Sequence, residues 1–195
     1  MRKIILGACT LLFVLPVVAS AGPPAGRIVG YMTNTSLDLG SGFDDSGTGF
    51  GVRGWGMLNP NWFLHGEYQT TDLDDFNESI DQMRLGAGYA GDLGGGMAWL
   101  AKGEYIDFGS DSEQSGFGLH GGLVLGMESP FSFFGTVGYL STDDTDGLEL
   151  NIGAHYAFTK VLGGVIDYRT YMGSVDPSGD FYLDDLRIGV DYTFW

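Results

Sequence analysis

One unit recurs five times along this chain, and the recurrence limits what the chain can fold into. Segments beginning near Arg27, Trp62, Met97, Phe131 and Leu162 are spaced by 35, 35, 34 and 31 residues, the mark of a repeated supersecondary element. Each carries a tyrosine late in its course: Gly30-Tyr31, Glu67-Tyr68, Glu104-Tyr105, Gly138-Tyr139 and Asp167-Tyr168. Between them run return segments that share a frame, Leu85-Gly86-Ala87-Gly88-Tyr89, Ile152-Gly153-Ala154-His155-Tyr156 and Ile188-Gly189-Val190-Asp191-Tyr192, with Phe117-Gly118-Leu119-His120-Gly121 following it without the tyrosine. Successive side chains of a strand point to opposite faces. Leu64 and Tyr68, Trp99 and Tyr105, Val137 and Tyr139, and Ile166 and Tyr168 therefore share an apolar face, and the acid or glycine before each tyrosine faces the other way.

The connections fall into two classes. Asn59 to Asn61, Gly91 to Gly95, Glu128 to Pro130 and Thr159-Lys160 are short turns, whereas Leu39–Thr48, Thr71–Asp81, Asp107–Ser115, Thr142–Gly147 and Met172–Tyr182 read as longer loops rich in Asp, Ser and Gly. Pro60, Pro130 and Pro177 all fall in connections, as a hydrogen-bonded ladder requires. Five hairpins give an all-β, transmembrane, antiparallel up-and-down β-barrel of ten strands, with eight as the alternative. Phe50 to Met57 is its weakest strand, with Trp55 on the inward face. A strand of about ten residues tilted by ~45° rises roughly 23 Å, close to the ~25 Å apolar band of outer-membrane barrels.

The last ten residues, Leu186 to Trp195, alternate strictly, and Gly189, Tyr192 and Phe194 form a Gly-x-x-Tyr-x-Phe pattern followed by Trp195. This ending resembles the closing strand of small Gram-negative outer-membrane β-barrel proteins, the porin-like group that includes OmpA, OmpX and OpcA relatives. The resemblance extends from Arg27 to Trp195. It implies that Gly189, Tyr192, Phe194 and Trp195 form the signal read by the outer-membrane assembly machinery, with Trp195 displacing the aromatic end by one position. The porin-like group includes structural anchors, adhesins, narrow pores and a few enzymes, so the resemblance implies architecture and location more than activity.

Arg2 and Lys3 precede an apolar run from Ile4 to Ala19 that ends in Ala19-Ser20-Ala21, the form of an export signal cleaved after Ala21. Residues 22–26, with Pro23 and Pro24, are then a periplasmic lead-in, and 27–195 are the barrel. Cleavage removes Cys9, so no disulfide is expected. It also removes two of the nine basic residues, leaving seven against 25 acidic ones, a formal charge of −18. Nucleic acid is thereby excluded as a partner. The 34 glycines and 14 % aromatics suit a small barrel, where glycine lets strands bend and aromatics mark the interfaces.

Parity sends Arg53, Glu67, Arg84, Lys102, Glu104, Asp167, Arg169, Arg187 and Asp191 into the lumen, with Gln69 and Asn151. A packed core of paired charges is expected, since isolated buried charge is costly. The competing expectation is a wet selectivity lining. Lys102 with Glu104, joined by Arg84 and Glu67, should form one layer, and Asp167, Arg169, Arg187 and Asp191 a second.

His65, His120 and His155 sit within strands on different sides of the wall, so they should not converge on one ion, and no metal centre or cofactor is expected. The loops supply acids without a base and no nucleophile motif is present, which argues against an enzyme. Asp44-Asp45, Asp72, Asp74, Asp75, Glu78, Asp107, Asp111, Glu113, Asp143, Asp144, Asp146, Asp176, Asp180 and Asp184-Asp185 are assigned to the loops. Most serve the turns, with weak capture of divalent cations as the functional alternative. The reading is a non-enzymatic outer-membrane barrel with acidic surface loops and an envelope-structural or surface-interaction role. Its partners are outer-membrane lipid and lipopolysaccharide. The alternative is a narrow cation-preferring pore for small solutes.

Overall fold

The computed structural model describes residues 26–40, 44–74, 79–109, 114–175 and 179–194. These form ten antiparallel strands: β1 (Gly26–Asp38), β2 (Asp44–Met57), β3 (Trp62–Leu73), β4 (Ser79–Gly94), β5 (Met97–Gly109), β6 (Gln114–Leu125), β7 (Phe131–Thr142), β8 (Asp146–Ala157), β9 (Leu162–Val175) and β10 (Gly179–Phe194). Every strand pairs with its sequence neighbours, and β1 pairs with β10, so the sheet closes. Closure leaves no open edge, the condition for strands to cross lipid. The expected ten-stranded barrel is the one observed, and eight strands are excluded. The proposed signal peptide and most of the lead-in lie outside the described residues, and β1 begins at Gly26, one residue earlier than expected.

Alternation divides the strands cleanly. On the outside, Ile28, Phe50, Leu85, Phe117, Leu119, Ile152 and Ile188 are exposed, a placement that only lipid makes favourable. Aromatics mark the two ends of this band. Trp62, Tyr89 and Trp99 interlock at centroid separations of 5.4 and 5.6 Å near the short turns, and Tyr68, Tyr139, Tyr168 and Tyr182 lie toward the long connections, giving the paired girdles of outer-membrane barrels. The β4–β5 turn shows why glycine is required there, because Gly94, Gly95 and Gly96 all take positive φ, between 64° and 79°, where a side chain would be strained.

The strands run further toward the long connections than their composition suggests. β2 starts at Asp44 rather than Phe50, and β10 at Gly179 rather than after Tyr182. Asp, Ser and Gly are weak strand formers, but a ladder already registered on both sides continues through them. Eight acids assigned to loops therefore change place: Asp44, Asp45, Asp72, Asp107, Asp146, Asp180, Asp184 and Asp185 stand on strands, and of these Asp45 and Asp185 are buried and face the lumen. Tyr31 differs from the other four tyrosines of the repeat, being inward and buried.

Candidate functional site: the filled lumen

Large and small side chains interlock inside the barrel. Tyr31 lies over Gly51 and Gly189, and His120 over Gly118 and Gly138, so closely that a Cβ at any of these glycines would collide. Such pairing of bulk against glycine fills a small barrel without widening it. It also explains why the inward-facing positions of the return strands are so often glycine.

The lumen is layered. Toward the long connections Ile106, Leu140 and Tyr171 form a buried apolar cluster, packed by Phe108, Phe181 and Leu183. Ile106 and Leu140 have 0 % exposure, so neither side chain borders open space in the lumen. Beneath lies a hydroxyl and amide layer centred on Asp185, whose Oδ1 accepts from Thr35 Oγ1 at 2.7 Å and from Gln69 Nε2 at 3.2 Å. Toward the short turns Val29, Tyr31 and Val165 form a second apolar cluster with Phe134.

Charged side chains occupy the middle and the short-turn end in three networks. In the first, Lys102 Nζ donates to Glu104 Oε2 at 2.6 Å, while Arg84 Nη1 donates to Glu104 Oε1 at 2.8 Å and its Nη2 to Glu149 Oε2 at 2.5 Å. In the second, Arg53 Nη2 donates to Asp167 Oδ2 at 2.5 Å, and Arg187 bridges Asp167 and Glu67 at 2.6 and 3.0 Å. Arg169 extends it from Glu67 to Asp185 at 2.8 and 2.6 Å. The guanidinium carbons of Arg53 and Arg187 each lie 5.5 Å from the centre of the Tyr31 ring, within cation–π range. The third is the Arg27–Asp191 pair at 3.4 Å, with His155 Nε2 at 2.9 Å from Asp191.

Counted with neutral histidines, the networks hold two cations and two anions, three and three, and one and one. Each is electrically balanced, which is what a low-dielectric interior demands. The chain's excess of negative charge is therefore carried by residues outside them.

Lys102, Glu104 and Arg84 meet as expected from their spacing. Glu67 and Asp191 do not join the layers expected for them. Glu67 is the register partner of both Arg53 and Arg84, yet it binds Arg169 and Arg187 across the lumen, because the lumen is narrow enough for long side chains of non-adjacent strands to meet. Asp191 pairs with Arg27 near the short-turn end and stays apart from Arg187. Asn151 lies on β8 as register partner of Arg169, but its Oδ1 is buried without a hydrogen-bond partner. Glu149 and Arg27 were not singled out by the sequence. Glu149 lies two residues before Asn151 on the same face, so parity extended one step would have found it.

The histidines do not converge. His65 and His120 approach Glu104 at 3.3 and 3.0 Å, and His155 keeps to Asp191. Ligand-type atoms of Glu104, His120 and Glu149 lie within 4.8 Å of one another, a spacing compatible with an ion. Arg84 Nη1, however, donates to both carboxylates there, at 2.8 and 2.9 Å. The cation in this cluster is the guanidinium.

Of the terminal motif, Gly189 faces the lumen against Tyr31, Tyr192 is exposed on the outer face, and Phe194 pairs with Gly26 where the barrel closes. Trp195 lies outside the described residues.

The fold is similar to two solved outer-membrane structures. Neisserial surface protein A (NspA) matches with a TM-score of 0.51 at 14 % identity, over 89 % of this chain and 99 % of that one. An outer membrane channel from Pseudomonas putida F1 matches with a TM-score of 0.58 at 12 % identity, over 93 % and 100 %. At such identities the likeness is one of fold. No curated protein matches the sequence. The family model for the outer membrane protein beta-barrel domain matches residues 5–194, nearly the whole chain, and with a closed ten-stranded sheet, a lipid-facing apolar surface and two aromatic girdles, the chain belongs to that family and is an integral barrel of the outer membrane.

Proposed function

We propose that the protein is a non-enzymatic envelope barrel whose lumen is closed by its own side chains. One observation carries the reading: guanidinium groups bridge non-adjacent strands across the lumen, Arg84 of β4 to Glu149 of β8 and Arg53 of β2 to Asp167 of β9, beneath the fully buried pair Ile106 and Leu140. Ions crossing such a lumen would have to part paired charges and wet an apolar seal, and both steps are costly. The role left to the barrel is exercised at its surfaces, through lipid and lipopolysaccharide on the apolar belt and through acidic connections outside. Those connections hold divalent cations weakly, because none supplies the spaced ligand pattern of a dedicated calcium loop.

Export by a cleaved signal ending at Ala21, and recognition of Gly189, Tyr192, Phe194 and Trp195 during assembly, belong to the same proposal. The amino-terminal sequence of the mature protein checks the cleavage site. Planar-bilayer recording of the purified barrel tests closure. The expected trace is flat, and reproducible unitary steps with cation preference would replace this reading by that of a narrow pore.

A further inference from the structure

An inward-facing side chain of a closed barrel meets solvent only from within the lumen, so its exposure reports where water enters. At the end of the long connections that entry is shut, with Ile106 and Leu140 at 0 %. At the short-turn end it is open, and it is unequal in sign. The side chains of Arg27, Lys102 and Arg53 keep 26, 20 and 17 % exposure, while their carboxylate partners Asp191, Glu104 and Asp167 keep 1, 0 and 0 %. The acids stand behind the bases, and the water-facing wall presents cations.

The donors on that wall are not spent. Among the described residues Arg27 uses only its Nε, toward Thr193 and Asp191, and its two terminal nitrogens meet no acceptor. Arg53 engages Asp167 through Nη1 and Nη2, and its Nε–H meets no acceptor among the described residues. Lys102 spends one of its three N–H groups, on Glu104. Trp55 is the register partner of both Arg27 and His65 and shares the inward face of β2 with Arg53. Glu67 is the one network carboxylate above 5 % exposure, at 11 %, and its Oε1 already accepts from Arg169, Arg187 and Tyr31.

We propose that the short-turn half of the lumen is a blind vestibule that binds a small oxyanion, a phosphate or carboxylate group presented from the periplasmic side. Guanidinium and ammonium groups with unspent donors, in a recess whose most accessible network carboxylate among the described residues is already occupied, match the planar and tetrahedral oxygens of such groups. The site is distinct from the closed-lumen reading. A conducting barrel would overturn that reading and leave the vestibule standing, and absence of binding would do the reverse.

The test is a titration of the full-length, ¹⁵N-labelled barrel in detergent micelles at constant ionic strength, with inorganic phosphate in one arm and succinate in the other. The Trp55 indole and the backbone amides of Arg27, Arg53 and Lys102 are followed. Saturable shifts at these positions are expected, with half-saturation near ~1 mM, a weak-site affinity. Saturation by phosphate alone assigns a phosphate site, by succinate alone a carboxylate site, and by both a general oxyanion site. The paired change Arg27→Gln with Asp191→Asn removes a donor without leaving a lone buried charge and should weaken binding about tenfold. Lys102→Gln serves as a second variant, since Arg84 still compensates Glu104, and heat-modifiable migration on a gel verifies that each is folded. Shifts that never saturate, that follow ionic strength, that map to the long connections, or that persist undiminished in both variants would overturn the proposal.

Discussion

At one end of the lumen Asp185 accepts from Arg169, Thr35 and Gln69 in a layer that water does not reach; at the other, Arg27 holds Asp191 at 3.4 Å with a quarter of its side chain in solvent. Both are arginine–aspartate pairs on inward-facing strand positions of one sheet. The difference is their surroundings. The first lies under Ile106, Leu140 and Tyr171, where low polarizability strengthens every charge interaction and penalises every loss. The second lies at a mouth where water competes for both partners. One end of the barrel is thus built as a seal and the other as a recess, and the same pair of residue types has different energetic weight in each.

Removing a charge from the dry half should break this contrast most sharply. Asp185→Ala leaves Arg169 facing Glu67 alone and takes the acceptor from Thr35 and Gln69, and Arg187→Ala leaves Glu67 and Asp167 each short of a guanidinium. Each should cost about 3 to 5 kcal/mol, read as a shift in the urea unfolding midpoint from detergent micelles. If both leave the midpoint unchanged, the lumen is wet and the proposed seal is wrong.

Leu140→Ala, in the apolar seal, should cost about 2 to 5 kcal/mol through lost burial and the cavity left behind. The same variant is the best candidate for opening a conducting path, so bilayer recording should accompany the stability measurement. Gly138→Ala tests the interlocking of bulk and glycine, since the added methyl meets the His120 ring and the Leu119 carbonyl. Overpacking of this kind typically costs about 1 to 3 kcal/mol.

The smallest effect belongs to the recess. Lys102→Ala should cost about 0 to 1 kcal/mol, because the ammonium that is lost stands at the wet end, where water already weakens its attraction to Glu104, and Arg84 still holds that carboxylate. A loss as large as that of Arg187→Ala would show that the two ends of the lumen do not differ.

The repeat and its parity decided the architecture without help from the structure. Ten strands, the start of each rising strand to within a residue, the lipid-facing set and the inward direction of nine charged residues all follow from period-two alternation, which acts at each residue and leaves its trace in the local sequence. The Lys102–Glu104 pair was equally legible, because two residues apart on one strand face is itself a statement of distance. Strand ends were legible only in part. Asp45 and Asp185 stand among Asp, Ser and Gly that look like turn, and only pairing with neighbouring strands carries the ladder through them. Tyr31 escaped because Ile28, Val29, Met32 and the tyrosine itself give β1 two apolar faces.

Which charges meet across the lumen was decided by the tertiary structure alone. Arg53 reaches Asp167 and Arg169 reaches Glu67 across the lumen, and such distances depend on strand tilt, stagger and barrel width, quantities set jointly by all ten strands. For the same reason no stretch of sequence encodes that one mouth is dry and the other wet. That contrast arises where Ile106, Leu140 and Tyr171 from three strands close over a polar interior, while at the opposite end Arg27, Arg53 and Lys102 stand in front of the acids that balance them.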